Sequence, residues 1–125
     1  MLGDNDATAT IAVKDIEAAR RFYEAVVGLT PMPASEPGVL PFRTGKTSIL
    51  VYQSQFAGTN RATAATWMVD GDLEAVVEAL KAKGVKFEHY DFPGMERDGD
   101  LHVTGKSRAA WFKDPDGNIL ALVGR

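Results

Sequence analysis

Apolar residues along this chain recur at two different spacings, and each change of spacing marks an element. From Ala7 to Val13 (ATATIAV) β-branched residues alternate with small ones, the two-residue period of a half-buried strand. Lys14-Asp15 breaks the run, and Asp15 has the short acceptor side chain that caps a helix. Beyond it Ile16, Ala19, Phe22, Tyr23, Val26 and Val27 fall three or four apart with Arg20, Arg21 and Glu24 between them, which predicts an amphipathic helix ended by Gly28. Thr30 to Gly38 holds three prolines and reads as irregular. Strands are predicted at Val39 to Phe42 and Thr47 to Tyr52, around the turn Thr44-Gly45-Lys46, and Gln53 to Arg61 reads as a linker.

The pattern then begins again. Ala64 to Val69 (AATWMV) predicts a strand, Asp70-Gly71-Asp72 a turn and cap, and Leu73, Val76, Val77 and Leu80 one face of a second helix. Lys81 and Lys83 complement the dipole of its last turn, and Gly84 ends it. Val85 to His89 reads as a strand, and Phe92 to Gly105 as a long charged loop. Asp15-Ile16-Glu17-Ala18 matches Asp72-Leu73-Glu74-Ala75 at a shift of 57 residues, so the chain is an internal repeat of strand, helix and about three strands.

The repeat closes on Trp111 to Leu122 (WFKDPDGNILAL). Asp114 can accept from its own following backbone, Pro115 presets φ, and Gly117 supplies a positive φ, so Ala109 to Phe112 and Ile119 to Val123 are predicted to form a hairpin. This motif reads as turn chemistry rather than catalysis.

With 125 residues the chain is expected to be one domain, 1–125, built of modules at about 7–56 and 62–123. The absence of cysteine excludes disulfides, thiolate zinc sites and a cysteine nucleophile. A net charge of -3 with 14 scattered Lys and Arg leaves no basic footprint for nucleic acid. Neither a membrane-length apolar run nor a signal-peptide start is present, so a cytoplasmic location without membrane partners is expected.

The runs TIAVKDIEAARRFYEAVVGL, VDGDLEAVVEALKAKGV and WFKDPDGNILAL resemble, in that order, the vicinal oxygen chelate superfamily of glyoxalases, bleomycin-resistance proteins and extradiol dioxygenases. The resemblance covers about Ala9 to Val123. It implies an α+β fold of paired βαβββ modules, a U-shaped mixed sheet curled into a cup with helices on its outer face, and a homodimer. It also implies positions for a divalent ion on the first and last strands of each module. Counted from the helix caps, the first-strand positions fall on Thr8 and Ala65. The last-strand positions fall on Leu50 and Ala121. None of these has imidazole or carboxylate, so no metal and no other cofactor is expected.

If these four residues face the cup, alternation turns Thr10, Ala12, Ser48, Tyr52 and Trp67 the same way. It leaves Ile11, Val13, Ile49, Val51, Met68, Leu120 and Leu122 toward the helices, with Thr66 as a polar exception. On the hairpin Phe112 joins the helix side, and Trp111, Ala109 and Ser107 face the cup. The expected ligand-binding residues are therefore Thr8, Leu50, Tyr52, Ala65, Trp67, Trp111 and Ala121, with both tryptophans lining one cavity. His102, in the long loop beside the pocket strand, is the candidate catalytic acid or base. Glu96, Arg97, Asp98 and Asp100 are candidates for a lid over a ligand.

Three functions stay open at this point. One is a small-molecule-binding protein of the bleomycin-resistance type, sequestering an antibiotic or other organic ligand in a metal-free aromatic pocket. Another is a glyoxalase-like lyase, isomerase or dioxygenase-related enzyme using His102 or a loop carboxylate. The last is an interaction module, which a cup filled by its own side chains would favour.

Overall fold

A computed structural model describes residues 1–34 and 36–125; Ser35, inside the stretch read as irregular, lies outside them. Among the described residues ten strands form two sheets, flanked by two α-helices. The first sheet contains β1 (Ala9–Val13), β2 (Thr30–Pro31), β3 (Val39–Thr44) and β4 (Thr47–Gln53) in the order β1-β4-β3-β2. The second contains β5 (Thr63–Met68), β6 (Phe87–Glu88), β7 (Glu96–Asp98), β8 (Leu101–Thr104), β9 (Ser107–Lys113) and β10 (Ile119–Gly124). Its order is β5-β10-β9-β8-β7, with β6 also paired to β9. In each sheet the first strand of the module runs parallel to the last, β1 with β4 and β5 with β10, and the other pairs are antiparallel. This is the paired βαβββ arrangement.

Local chemistry starts and stops the helices where the spacing predicts. The Asp15 carboxylate accepts from the amides of Glu17 and Ala18, both at 3.1 Å, at the head of α1 (Ile16–Arg21). Asp72 does the same for the amide of Ala75 at the head of α2 (Leu73–Ala82). Gly28 and Gly84, at φ of 86° and 93°, end the two helical runs in the left-handed conformation that only glycine adopts without strain. The first run is not α-helical throughout: Phe22–Val26 forms a π-helical turn, with Val27 N–H donating to the Phe22 carbonyl.

The core lies between helices and sheets. Ile11, Val13, Val51 and Phe42 pack with Ala19 and Tyr23, and Phe112, Leu120 and Leu122 with Leu73, Val77 and Leu80, as parts of one continuous cluster. Each such side chain contributes about 1.5–3 kcal/mol by leaving water. The Phe22 ring, 6.3 Å from that of Phe112, ties the first helix to the second sheet.

Two stretches fold differently from the reading above. Thr30-Pro31 adds a short strand to β3. The predicted long loop holds the hairpin β7–β8, turned at Gly99 with φ of 63°. Its charged, exposed first strand masks the alternation, which only Leu101 and His102, both buried, and half-buried Val103 carry. Among the described residues no helix is long and apolar enough to cross a membrane.

Candidate functional site

One face of each sheet packs on helices; the opposite face, here called open, is the default place to look for a ligand site. In the first sheet Ile11, Val51 and Leu40 share a row toward the core. The neighbouring rows, Thr10 with Leu50 and Pro41 and Ala12 with Tyr52 and Val39, therefore lie on the open face. Thr8 precedes β1 and is exposed. Arg43 pairs with Ser48 on the same face, and together with Thr8, Lys46 and Asp6 they border a hollow of about 460 Å³.

In the second sheet Leu120 and Leu122 pair with Phe112 and Ala110 toward the core, whereas Ala121 pairs with Trp111 and Val123 with Ala109 on the open face. On the other side of β10, Leu120 and Leu122 pair with Ala65 and Trp67, and Ala121 pairs with Thr66. Ala65 and Trp67 thus face the helices, opposite to the expectation, and Thr66 and Met68 face outward. Trp67 packs against the core, and its Nε1 donates to Thr44 Oγ1 at 2.9 Å. The two tryptophans lie on opposite faces.

The reason is one residue. Val13 is followed by Lys14 and then the cap Asp15, but Val69 is followed by Asp70 and Gly71 before the cap Asp72. Val13 therefore maps to Val69 at a shift of 56 while Asp15 maps to Asp72 at 57, and counting back from the caps reverses the parity of β5. The signal was present: Ala9-Thr10 and Val13 match Ala65-Thr66 and Val69 at 56, the shift that also relates Gly28 to Gly84.

Trp111 is the centre of a group of rings on the open face of the second sheet. His102 pairs with Ala109, so it shares that face, and its ring meets Trp111 edge-on at 4.8 Å and 84°. Tyr90 and Phe92 lie 5.6 and 5.7 Å from Trp111 and 5.7 Å from each other. Separations of this size are direct contact, worth about 0.5–1.5 kcal/mol per pair beyond burial. Burial raises the Tyr90 hydroxyl above its ordinary pKa, with the Glu88 charge adding to the effect.

His102 is not a solvated loop residue. It is 1% exposed, and its Nε2 accepts the Tyr90 N–H at 2.9 Å. The neutral ring then carries its proton on Nδ1, which is buried without a partner among the described residues, as is Tyr90 Oη. A buried polar group left unpaired costs about 1–3 kcal/mol. With its one lone pair occupied, His102 offers a donor and no free base. Sequence reasoning passed over Tyr90, because its contact with His102 depends on β8 pairing with β9.

Trp111 Nε1 donates to Thr63 Oγ1 at 3.2 Å, at the seam between the modules. There a hollow of about 310 Å³ is bordered by Thr10, Ala12, Phe56, Asn60, Thr63 and Ile119. The seam is closed by the WFKDPDGN turn. Asp114 Oδ1 accepts the amides of Asp116 and Asn118, and its Oδ2 accepts Asn118 Nδ2 and Tyr23 Oη, each of the last two at 2.8 Å. Asn118 Nδ2 also donates to the Ala12 carbonyl at 2.7 Å. Burial, and then the Asp114 charge, push the Tyr23 hydroxyl far above its ordinary pKa.

Of the lid candidates, Arg97 pairs with His102 and shares its face, whereas the others lie along the edge of the sheet or are tied to its neighbours. Asp100 is tied to α2 and to the chain beside β6 through Lys81 Nζ and His89 Nε2, both at 2.8 Å, while Glu96, Arg97 and Asp98 are exposed along β7.

A metal-dependent relative would need ligands at Thr8, Leu50 and Ala121 and at a first-strand position of the second module. At that position Ala65 faces inward, Thr66 lies beside Ala121, and Ala64 is the counterpart of Thr8 at the 56-residue shift. These side chains do not fit a divalent ion. Among the described residues no three His, Asp or Glu side chains gather as a ligand set.

The sheet order and the paired modules agree with a family match over nearly the whole chain, since residues 7–122 match the family described as Glyoxalase/Bleomycin resistance protein/Dioxygenase superfamily. This chain belongs to that superfamily. A glyoxalase family protein from Enterococcus faecalis superposes with a TM-score of 0.73 at 19% identity, over 98% of this chain and 99% of that one. The fosfomycin resistance protein FosX from Listeria monocytogenes has a TM-score of 0.72 at 15% identity, covering 97% and 93%. FosX from Mesorhizobium loti has 0.69 at 18%, covering 98% and 92%. At these identities the superfamily likeness is one of fold. Among curated proteins none is significantly similar to the chain.

Proposed function

We propose that this superfamily member is a cytoplasmic binding protein that sequesters a small organic molecule on its open sheet faces without a metal ion. One observation carries the reading: Thr8, Leu50, Ala64 and Ala121 have neither imidazole nor carboxylate, while Trp111 and Tyr52 stand on the open faces. Aromatic walls favour planar, apolar or cationic compounds. An antibiotic is one such class of ligand, in keeping with the resistance proteins among the structural neighbours. The alternative of a glyoxalase-like lyase, isomerase or dioxygenase-related enzyme is weakened because Nε2 of His102 is occupied by the Tyr90 amide.

The protein is further proposed to act as a homodimer. Phe56 and Met68 are 69% and 72% exposed, apolar surface that a second copy would cover.

Metal analysis with titration of Ni²⁺, Mn²⁺ and Zn²⁺ against melting temperature, followed by a screen of aromatic and cationic compounds on tryptophan fluorescence, tests the reading. Expected are no bound metal, no stabilisation by any ion, and saturable quenching by a subset of compounds. One ion bound stoichiometrically with a raised melting temperature overturns it. Light scattering of the purified chain decides the dimer.

A further inference from the structure

Two buried side-chain polar atoms have no partner among the described residues, His102 Nδ1 and Tyr90 Oη, and both belong to the rings around Trp111. Buried donors in folded proteins are almost always paired. Since the Tyr90 amide holds Nε2, the neutral His102 ring has a donating Nδ1–H that nothing accepts.

The outermost ring of the group is Phe92. It is 45% exposed and lies 5.7 Å from both Trp111 and Tyr90 and 6.4 Å from His102. Its backbone is lightly held: Phe92-Pro93-Gly94-Met95 is a turn closed by the Met95 amide on the Phe92 carbonyl at 3.1 Å, with Gly94 at φ of 80° as a type II turn requires. The amides of Asp91 and Phe92 have no hydrogen-bond partner among the described residues. Phe92 therefore lies against Trp111, with its ring 6.4 Å from that of His102, whose Nδ1–H a hydrocarbon ring cannot satisfy.

We propose that the Phe92 side chain is an internal stand-in for the ligand. A planar heteroaromatic molecule with an in-plane acceptor atom displaces it from Trp111 and accepts the Nδ1–H of His102. This rests on the reading that the open face of the second sheet binds a small molecule, and it adds the ligand class and a displaceable side chain. His102 becomes a specificity residue rather than a base. Because the free protein must first give up the Phe92 contacts, its apparent affinity is lower than that of a protein already open.

Quinoline and naphthalene have the same shape, and only quinoline has a ring acceptor, so the pair isolates the hydrogen bond. Dissociation constants for both are measured by Trp111 quenching on the wild type and on Phe92→Ala, together with the ¹⁵N resonances of His102. Expected are about tenfold tighter binding of quinoline than naphthalene, the size of one neutral hydrogen bond. Phe92→Ala tightens both several-fold, and the Nδ1 proton shifts with quinoline alone. Equal affinities for the two probes, or binding weakened by Phe92→Ala, overturn the inference. If probes bind with no dependence on Phe92 and binding is lost in Tyr52→Ala, the binding-protein reading stands and this inference falls. If neither these probes nor the screened compounds bind, both fall.

Discussion

Tyr23 and Asp114, 91 residues apart, meet through a 2.8 Å hydrogen bond from the phenol to the carboxylate, both buried. The contact joins the first helix to the closing turn of the second module, and it explains why Asp114 organises more than its own hairpin. One oxygen shapes the turn and the other receives the neighbouring module.

Tyr23→Phe removes a hydrogen bond to a charged acceptor and is expected to cost about 1.5–3 kcal/mol in urea unfolding. Asp114→Ala strips the turn amides and Asn118 as well and is expected to cost more, about 3–5 kcal/mol. The two effects should be strongly non-additive in a double-mutant cycle. Additive values would show that the pair does not couple the modules.

Gly58 approaches the same turn from the linker. It sits at φ of 72°, and a Cβ there would run into the Asp116 carbonyl, whereas Gly45, at 57°, has open space around it. Gly58→Ala should therefore destabilise by about 2 kcal/mol or more, against about 1 kcal/mol for Gly45→Ala. Equal melting temperatures for the two variants would remove the steric argument.

The Asp100 carboxyl is held below its ordinary pKa, first by the Lys81 hydrogen bond and then by that of His89. A depressed carboxyl stabilises the fold above its unfolded-state pKa, and that contribution is lost as pH falls through the lower folded value. Melting temperature measured from pH 6 down to 2 should therefore fall less steeply at its acid end in Asp100→Asn. The difference should shrink in high salt, because Lys81 and His89 are 44% and 46% exposed. Identical acid limbs would mean that the triad contributes nothing measurable.

The two tryptophans should separate in fluorescence. Trp67 packs toward the core and is bound to Thr44, so Trp67→Phe should lower stability and keep the response to added aromatic compounds. Trp111→Phe should abolish that response. A response lost in Trp67→Phe alone would put the ligand on the helix side.

Helix caps at Asp15 and Asp72, stops at Gly28 and Gly84 and the DPDGN hairpin were legible because each depends on neighbours within a turn or two of chain. The βαβββ repeat followed from these signals with the hydrophobic periods. The hairpin β7–β8 was not legible, since the charges of Glu96-Arg97-Asp98 hide a strand that forms by pairing with β8.

By itself the sequence determined the order and type of the main elements, the repeat, and the lack of imidazole or carboxylate at Thr8, Leu50 and Ala121, because these are matters of local spacing and residue type. Only the tertiary structure decided which face of β5 is open, since the residue Gly71 adds between strand and cap shifts the strand's parity, and pairing with β10 shows the result. It also decided that His102 is buried, with its Nε2 accepting the Tyr90 amide, rather than a solvated loop residue. That outcome depends on Tyr90, Phe92 and Trp111 converging from separate segments, and burial among distant residues has no signature in the local pattern.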